Sequence, residues 1–386
     1  MSVAERSSAS PPKKKKRQRQ YNWTTPRFWH GMRFTPWVRL LVRHRFRVSP
    51  TRVPMAFMVT LFSVLNSLLH YVQNWLYGRQ ADAIEIRQPP LFVIGHWRSG
   101  TTMLHELMVL DPRHNSPTTY ECFAPSHFLL TSRIVTKWFS WILPSQRPMD
   151  NMAAGWRKPQ EDEFALCNLG TPSPYLTMAF PNDPPAYPEY LDLRSLSSEQ
   201  REQWKASLRW FLQRLTWQDP RRIVLKSPPH TARVRTLLEM FPDAQFIHIV
   251  RDPYEVYAST DRLWKSLNGM QGCQTLRNPD YEEYIFDALG RMYRAFEEDR
   301  HLLRRNQLFE VRYEDLVQNP TEQMQALYEH LELGNFENVL PGLRRYLDAV
   351  RDHRTRTTKD GLSPELKAKI ADQWRPFFGR HGYPFE

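Results

Sequence analysis

The stretch Pro90-Leu91-Phe92-Val93-Ile94-Gly95-His96-Trp97-Arg98-Ser99-Gly100-Thr101-Thr102 constrains this chain more than any other. Its apolar start predicts a short buried strand, its two glycines bound a tight loop, and Met103-Leu104-His105-Glu106-Leu107 continues as a helix. A strand–loop–helix unit of this kind aims several backbone N–H groups at one spot. The positive end of the helix dipole lies there too, so the spot favours an anion such as phosphate. The spacing is that of a phosphate-binding loop, G-x4-G followed by hydroxyl residues, with one departure. A nucleoside-triphosphate loop needs Lys directly after the second glycine, to reach the β/γ-phosphates. Here that position is Thr101, and the only cation in the loop is Arg98. The loop suits a phosphate but not Mg-ATP.

The rest of the chain supplies more strands of the same kind. Arg222–Lys226 leads into Ser227-Pro228-Pro229-His230 and a helix over 231–241. Gln245–Val250 ends at Arg251-Asp252-Pro253, and the helix that follows carries Ser259. Leu308–Tyr313 reads as a fourth strand, and Pro320 opens another helix. Periodic apolar residues over 199–216 predict a long helix. Continuous apolar strands alternating with helices imply an α/β fold: a P-loop-like parallel sheet flanked by helices. Its ligand belongs beyond the carboxyl ends of the strands. Arg98, Lys226, Arg251 and Tyr313 stand at those ends, so three cations converge on one crevice. No buried strand ends in an Asp that would hold Mg²⁺. The inference is a polyanionic nucleotide bound without a metal.

Charge is distributed unevenly. Of 53 Lys/Arg and 41 Asp/Glu in 386 residues, residues 1–53 hold fourteen bases and one acid, leaving a body of 39 bases and 40 acids. A nearly neutral body gives nucleic-acid binding no support. Residues 1–20, with Lys13-Lys14-Lys15-Lys16-Arg17, read as a disordered basic tail. Residues 21–80 form a helical N-terminal extension, first arginines interleaved with aromatics, then Pro54–Gly78 without a charge. Thr60, Ser63, Ser67, His70 and Asn74 give that uncharged helix a narrow polar face. Such a helix docks on protein or lies along a membrane in preference to crossing one. The basic run and this helix make residues 13–78 a candidate membrane-surface segment. Residues 85–386 form the remaining domain. Cys122, Cys167 and Cys273 are widely spaced, with neither a disulfide framework nor a metal pattern.

Taken in order, the loop Gly95–Thr102, Arg251 with Ser259 eight residues on, and Tyr313-Glu314-Asp315-Leu316 resemble the PAPS-dependent sulfotransferase family. The likeness is greatest to its bacterial branch and to the tyrosylprotein sulfotransferases. The resemblance implies that Gly95, Arg98, Ser99, Gly100, Thr101 and Thr102 hold the 5′-phosphosulfate. By the same resemblance Arg251 and Ser259 hold the 3′-phosphate, and Tyr313 packs near the adenine. It also implies a glutamate base some twenty residues past the loop arginine, for which Glu121 is the candidate. A basic segment closing over the 3′-phosphate would fall within His353–Gly361. Arg98 and Lys226 suit the charge that builds on a transferring sulfonate. His230 is the rival base, because its pKa lies naturally near neutrality. Glu161 and Glu163 are further candidates, although acids at a helix start have a structural role of their own.

The expected reaction is therefore sulfuryl transfer from PAPS to a hydroxyl or amine, with no metal required. The acceptor would be a small molecule, a lipid-like alcohol or a carbohydrate. Trp138, Phe139, Trp141 and Trp156 either line an apolar acceptor pocket or pack as core. Two other readings stay open. One is a P-loop-type small-molecule kinase; the other is a non-enzymatic, membrane-associated nucleotide-binding protein. PAPS supply and the unpaired cysteines favour the cytoplasm, at or near the cytoplasmic face of a membrane.

Overall fold

A computed structural model describes residues 26–139, 155–277, 279–350 and 359–386. The basic tail over 1–20, Trp141 and most of the basic stretch from His353 lie outside them.

Five strands form one parallel sheet: β1 (Leu91–Ile94), β2 (His114–Asn115), β3 (Arg222–Lys226), β4 (Gln245–Val250) and β5 (Leu308–Arg312). Their spatial order is β2-β3-β1-β4-β5. The loop-bearing strand β1 is therefore central, level with Lys226 through Val93 and with His248 through Ile94. Four of these strands were legible as apolar runs. The edge strand β2 is two residues long, too short to show a period. Tyr313 starts a helix and does not end the fourth strand.

Before the sheet come α1 (Phe34–Arg43), α2 (Val53–Gln73) and the short α3 (Arg79–Asp82), the last two joined by one wide turn over Asn74–Gly78. Next are α4 (Thr101–Met108), α5 (Thr119–Phe123), α6 (Phe128–Trp138), α7 (Asp162–Leu169) and α8 (Ser198–Gln218). The segment expected as one helix over 231–241 is a tight turn, Pro228–Ala232, followed by α9 (Val234–Met240), because paired prolines deny the first turn its donors. Then follow α10 (Pro253–Gln271), α11 (Glu282–Asp299), α12 (Tyr313–Gln318), α13 (Pro320–His330), α14 (Leu340–Val350), α15 (Pro364–Gln373) and α16 (Arg375–His381).

Strand alternation divides the core. Phe92, Ile94, Leu225 and Phe246 face the larger side, with Trp204, Phe211 and Phe164. Leu91, Val93, Val224 and Ile247 face the smaller side, against Leu104 and Leu107 of α4 and Met324 of α13. Each such large side chain, fully buried, contributes about 1.5–3 kcal/mol.

The helix α2 is built inside out. Its polar stripe faces the protein: Thr60 accepts from the Trp37 indole at 2.8 Å, and the Asn66 amide donates to the carbonyls of His30 at 2.7 Å and Met32 at 2.9 Å. Ser67 caps the Phe34 amide at 2.9 Å, His70 meets Arg33 at 3.0 Å, and Gln73 donates to the Ser126 carbonyl at 3.1 Å. Polar stripes are an odd filling for a protein core, but each of these groups has its partner, so none is left desolvated and unpaired.

Candidate active site

The site gathers at the carboxyl ends of β3, β1, β4 and β5, where the sheet order brings the expected residues side by side. The loop after β1 turns tightly. Gly95, Arg98 and Gly100 have φ of +143°, +68° and +104°, positive values that fold the loop back on itself ahead of α4, whose N-terminus faces an anion favourably. A side chain at Gly100 would begin 2.4 Å from the Tyr313 ring. The glycine is thus required twice over, by its φ and by the close approach of Tyr313. Gly95 donates its N–H to Thr231 at 2.8 Å, and Ser99 donates its hydroxyl to the His96 carbonyl at 2.8 Å. Thr101 and Thr102 open α4, with Thr101 buried.

Two cationic clusters flank this loop. On one side the Arg98 Nε donates to Ser259 Oγ at 2.9 Å, and Arg251 donates to the Arg98 carbonyl at 3.2 Å. The Arg251 guanidinium lies 4.4 Å from the centroid of the Tyr313 ring. Arg98, Arg251, Ser259 and Tyr313, from four separate elements, therefore form one contact group. On the other side, Lys226 Nζ donates to Glu161 at 2.5 Å and lies 3.4 Å from Thr102 Oγ1. The second Glu161 oxygen accepts from the Tyr175 hydroxyl at 2.5 Å, and that hydroxyl accepts from the indole of Trp97, inside the loop, at 2.8 Å. Burial and the neighbouring carboxylate push the Tyr175 phenol well above its usual range, so it stays a donor. Glu161 is held from two sides by a chain that begins and ends on the phosphate loop.

Of the four candidate bases, Glu121 and His230, the first two in the sequence reading, make their hydrogen bonds away from Lys226. Glu121 completes a capping box at the start of α5: one oxygen accepts from the Thr118 amide at 2.7 Å, the other from the Gln218 side chain at 2.7 Å. Burial raises its pKa, opposed by those hydrogen bonds. His230 is wholly enclosed and bonded to Asp162 at 2.7 Å, an acid that also accepts from Ser227 at 2.8 Å. Glu163 is paired in two places with Arg233, at 2.6 and 3.1 Å, with both side chains fully buried. The three successive acids at the start of α7 thus have three different duties, and Glu161 is the one that reaches Lys226. Sequence spacing could not separate them, since adjacent residues at a helix start point in different directions.

Tyr175 and Trp97 were missed, because a tyrosine in a Pro-rich loop carries no pattern. Trp156 is core beside Tyr120, whereas Trp138 and Phe139 are exposed. Of the expected closing segment, Lys359–Gly361 is described and begins with Lys359. That lysine donates to Asp252 at 3.1 Å, one residue after Arg251. A polar cleft lined by Arg222, Gln245 and Asn306 lies at the opposite, amino ends of the strands.

A model of the sulfotransferase family matches residues 89–338, which hold every residue of this crevice. The chain belongs to the sulfotransferase family. Over 365 residues this sulfotransferase is 43% identical to the omega-hydroxy-beta-dihydromenaquinone-9 sulfotransferase Stf3 of Mycobacterium bovis, covering 94% of this chain and 92% of that protein. The Stf3 of Mycobacterium tuberculosis matches equally. Among solved structures, sulfotransferase STF9 of Mycobacterium avium has a TM-score of 0.63 at 20% identity, covering 86% of both chains. STF1 of M. tuberculosis has a TM-score of 0.59 at 19% identity, covering 89% of this chain and 92% of its own. The shared fold is the α/β one, a parallel sheet flanked by helices. The protein is an enzyme of sulfuryl transfer to a hydroxyl acceptor.

Proposed function

We propose that this sulfotransferase takes its sulfuryl group from PAPS and delivers it to the hydroxyl of an apolar, quinol-like membrane lipid, working from the cytoplasmic side. The observation that carries the reading is the Lys226–Glu161–Tyr175–Trp97 chain hung on the phosphate loop. The crevice fits a 3′,5′-bisphosphate donor. The N-terminus of α4 with Lys226 suits the 5′ end, and the Arg98–Ser259–Arg251 cluster suits the 3′-phosphate, with Tyr313 beside it for the adenine. PAPS supplies an activated sulfonate.

The chain's own groups do the rest. Glu161, partly exposed and oriented by Tyr175, accepts the acceptor's proton, a role typically worth about 10²–10⁴-fold in rate. Lys226, buried and fixed between Glu161 and Thr102, lies where negative charge grows as the sulfonate passes to the acceptor. A preorganised donor of that kind is worth about 3–4 kcal/mol. The lipid acceptor is inferred from the 43% identity to Stf3, whose name specifies a hydroxylated menaquinone, and from the apolar surface described below.

The test is transfer itself. Purified protein, PAPS and a hydroxylated polyprenyl quinol in vesicles should yield the quinol sulfate and PAP in equal amounts by mass spectrometry. Transfer to a hydroxylated sugar but never to the quinol would overturn the acceptor class.

A further inference from the structure

We infer that α2 is a monotopic anchor that lies in one leaflet of an anionic phospholipid membrane. Every exposed residue between Phe57 and Leu76 is hydrophobic. They include Phe57 and Leu68, each 60% exposed, Tyr71 at 72% and Trp75 at 83%. A water-facing helix does not carry such a face; a lipid-facing one does. The helix from Pro50 to Asp82 is long and apolar enough to cross a bilayer, yet only 28% of its most apolar window is buried. Crossing would strip Thr60, Asn66, Ser67, His70 and Gln73 from partners on and just before α1, on the Phe28–Gly31 turn and just before α6. Those partners hold the helix against the body, so it meets lipid sideways.

Charge selects the kind of surface. Residues 26–52, which lead into α2 and pack on it through α1, contain seven arginines and no acid. Arg39, Arg43, Arg45 and Arg47 are exposed beside the apolar Val42 and Phe46. Cations bordering an apolar face match anionic headgroups above acyl chains. Neighbouring α6 extends the combination, exposing Ile134, Trp138 and Phe139 with Arg133 and Lys137. A second copy of the chain would bring a like-charged rim against this one.

The inference deepens the lipid-acceptor reading but can be measured without turnover. Detergent-free full-length protein should co-sediment with phosphatidylglycerol vesicles and weakly with phosphatidylcholine alone. The variant Leu61→Glu/Leu68→Glu/Trp75→Glu should lose at least about tenfold in vesicle affinity, while keeping its melting curve and its PAP binding. A fluorophore on Phe57→Cys, Leu65→Cys or Trp75→Cys should report the same shallow depth at all three positions; the native cysteines are buried. Unchanged vesicle binding by the triple variant would overturn the inference. So would a probe at 65 deepest at mid-bilayer, which means a spanning helix, or a stable dimer that buries this face and ignores vesicles. The two readings separate on a water-soluble hydroxylated acceptor. Its sulfation by the triple variant leaves the chemistry intact, and failure by the wild type indicts the chemistry and not the docking.

Discussion

At the scale of single residues, three adjacent acids show how much one position matters. Glu161, Asp162 and Glu163 share a sequence context, yet only Glu161 touches the Lys226 amine and a loop-anchored tyrosine. Glu161→Gln should lower kcat by about 10²–10³-fold and leave PAP affinity within about threefold, as expected for a group that acts on the acceptor's proton. Steady-state kinetics with calorimetry checks both halves. Glu121→Ala should do the reverse. It orphans the Thr118 amide and the Gln218 side chain, costing about 1–3 kcal/mol of stability in urea denaturation, with kcat little changed. A collapse of kcat in that variant would restore Glu121 as the base.

At the scale of elements, the phosphate loop and the start of α7 depend on each other. Gly100→Ala asks a side chain to occupy the Tyr313 ring edge at φ +104°. PAP affinity should fall more than about tenfold, since both the loop and the Arg251–Tyr313 contact must shift. Arg233→Leu leaves Glu163 enclosed with the Ser173 hydroxyl but without its cation, a loss of about 3–5 kcal/mol read as a lower urea midpoint. What the sequence revealed follows the same division. Arg98, Lys226, Arg251 and Ser259 were legible because strand ends and one helical repeat place them. The true partner of Lys226 was not. It depends on how α7 meets β3 across sixty-five residues of chain, a tertiary fact with no local period. Likewise α2 read as an uncharged helix with a polar stripe, but which stripe faced inward had to come from its neighbours.

At the scale of the whole molecule, burial sets the response to acid. His30, His70, His96, His127 and His381 are each lowered to about 4, chiefly by burial. Their stabilising neutrality is fully present above about pH 6.5, where the unfolded chain is neutral too. As pH falls below that value the unfolded chain takes up protons that the folded one refuses, so stability drops down to about pH 4. The slope is at most about 1.4 kcal/mol per pH unit for each well-enclosed histidine, and less for the part-exposed His70 and His381. Glu310, held low against burial by hydrogen bonds from Arg300 and His248, extends the loss to still lower pH. The urea midpoint should fall steadily between pH 6.5 and 4.5; a flat profile would contradict these enclosed histidines.

The most direct measurement on the central claim is calorimetric titration of PAP and of ATP into the purified protein, each with Mg²⁺ and with EDTA. The crevice of Arg98, Lys226, Arg251 and Ser259 predicts tight PAP binding that EDTA leaves unchanged and that falls at least about tenfold in Arg251→Ala. Binding of ATP that requires Mg²⁺, with PAP inert, would contradict it.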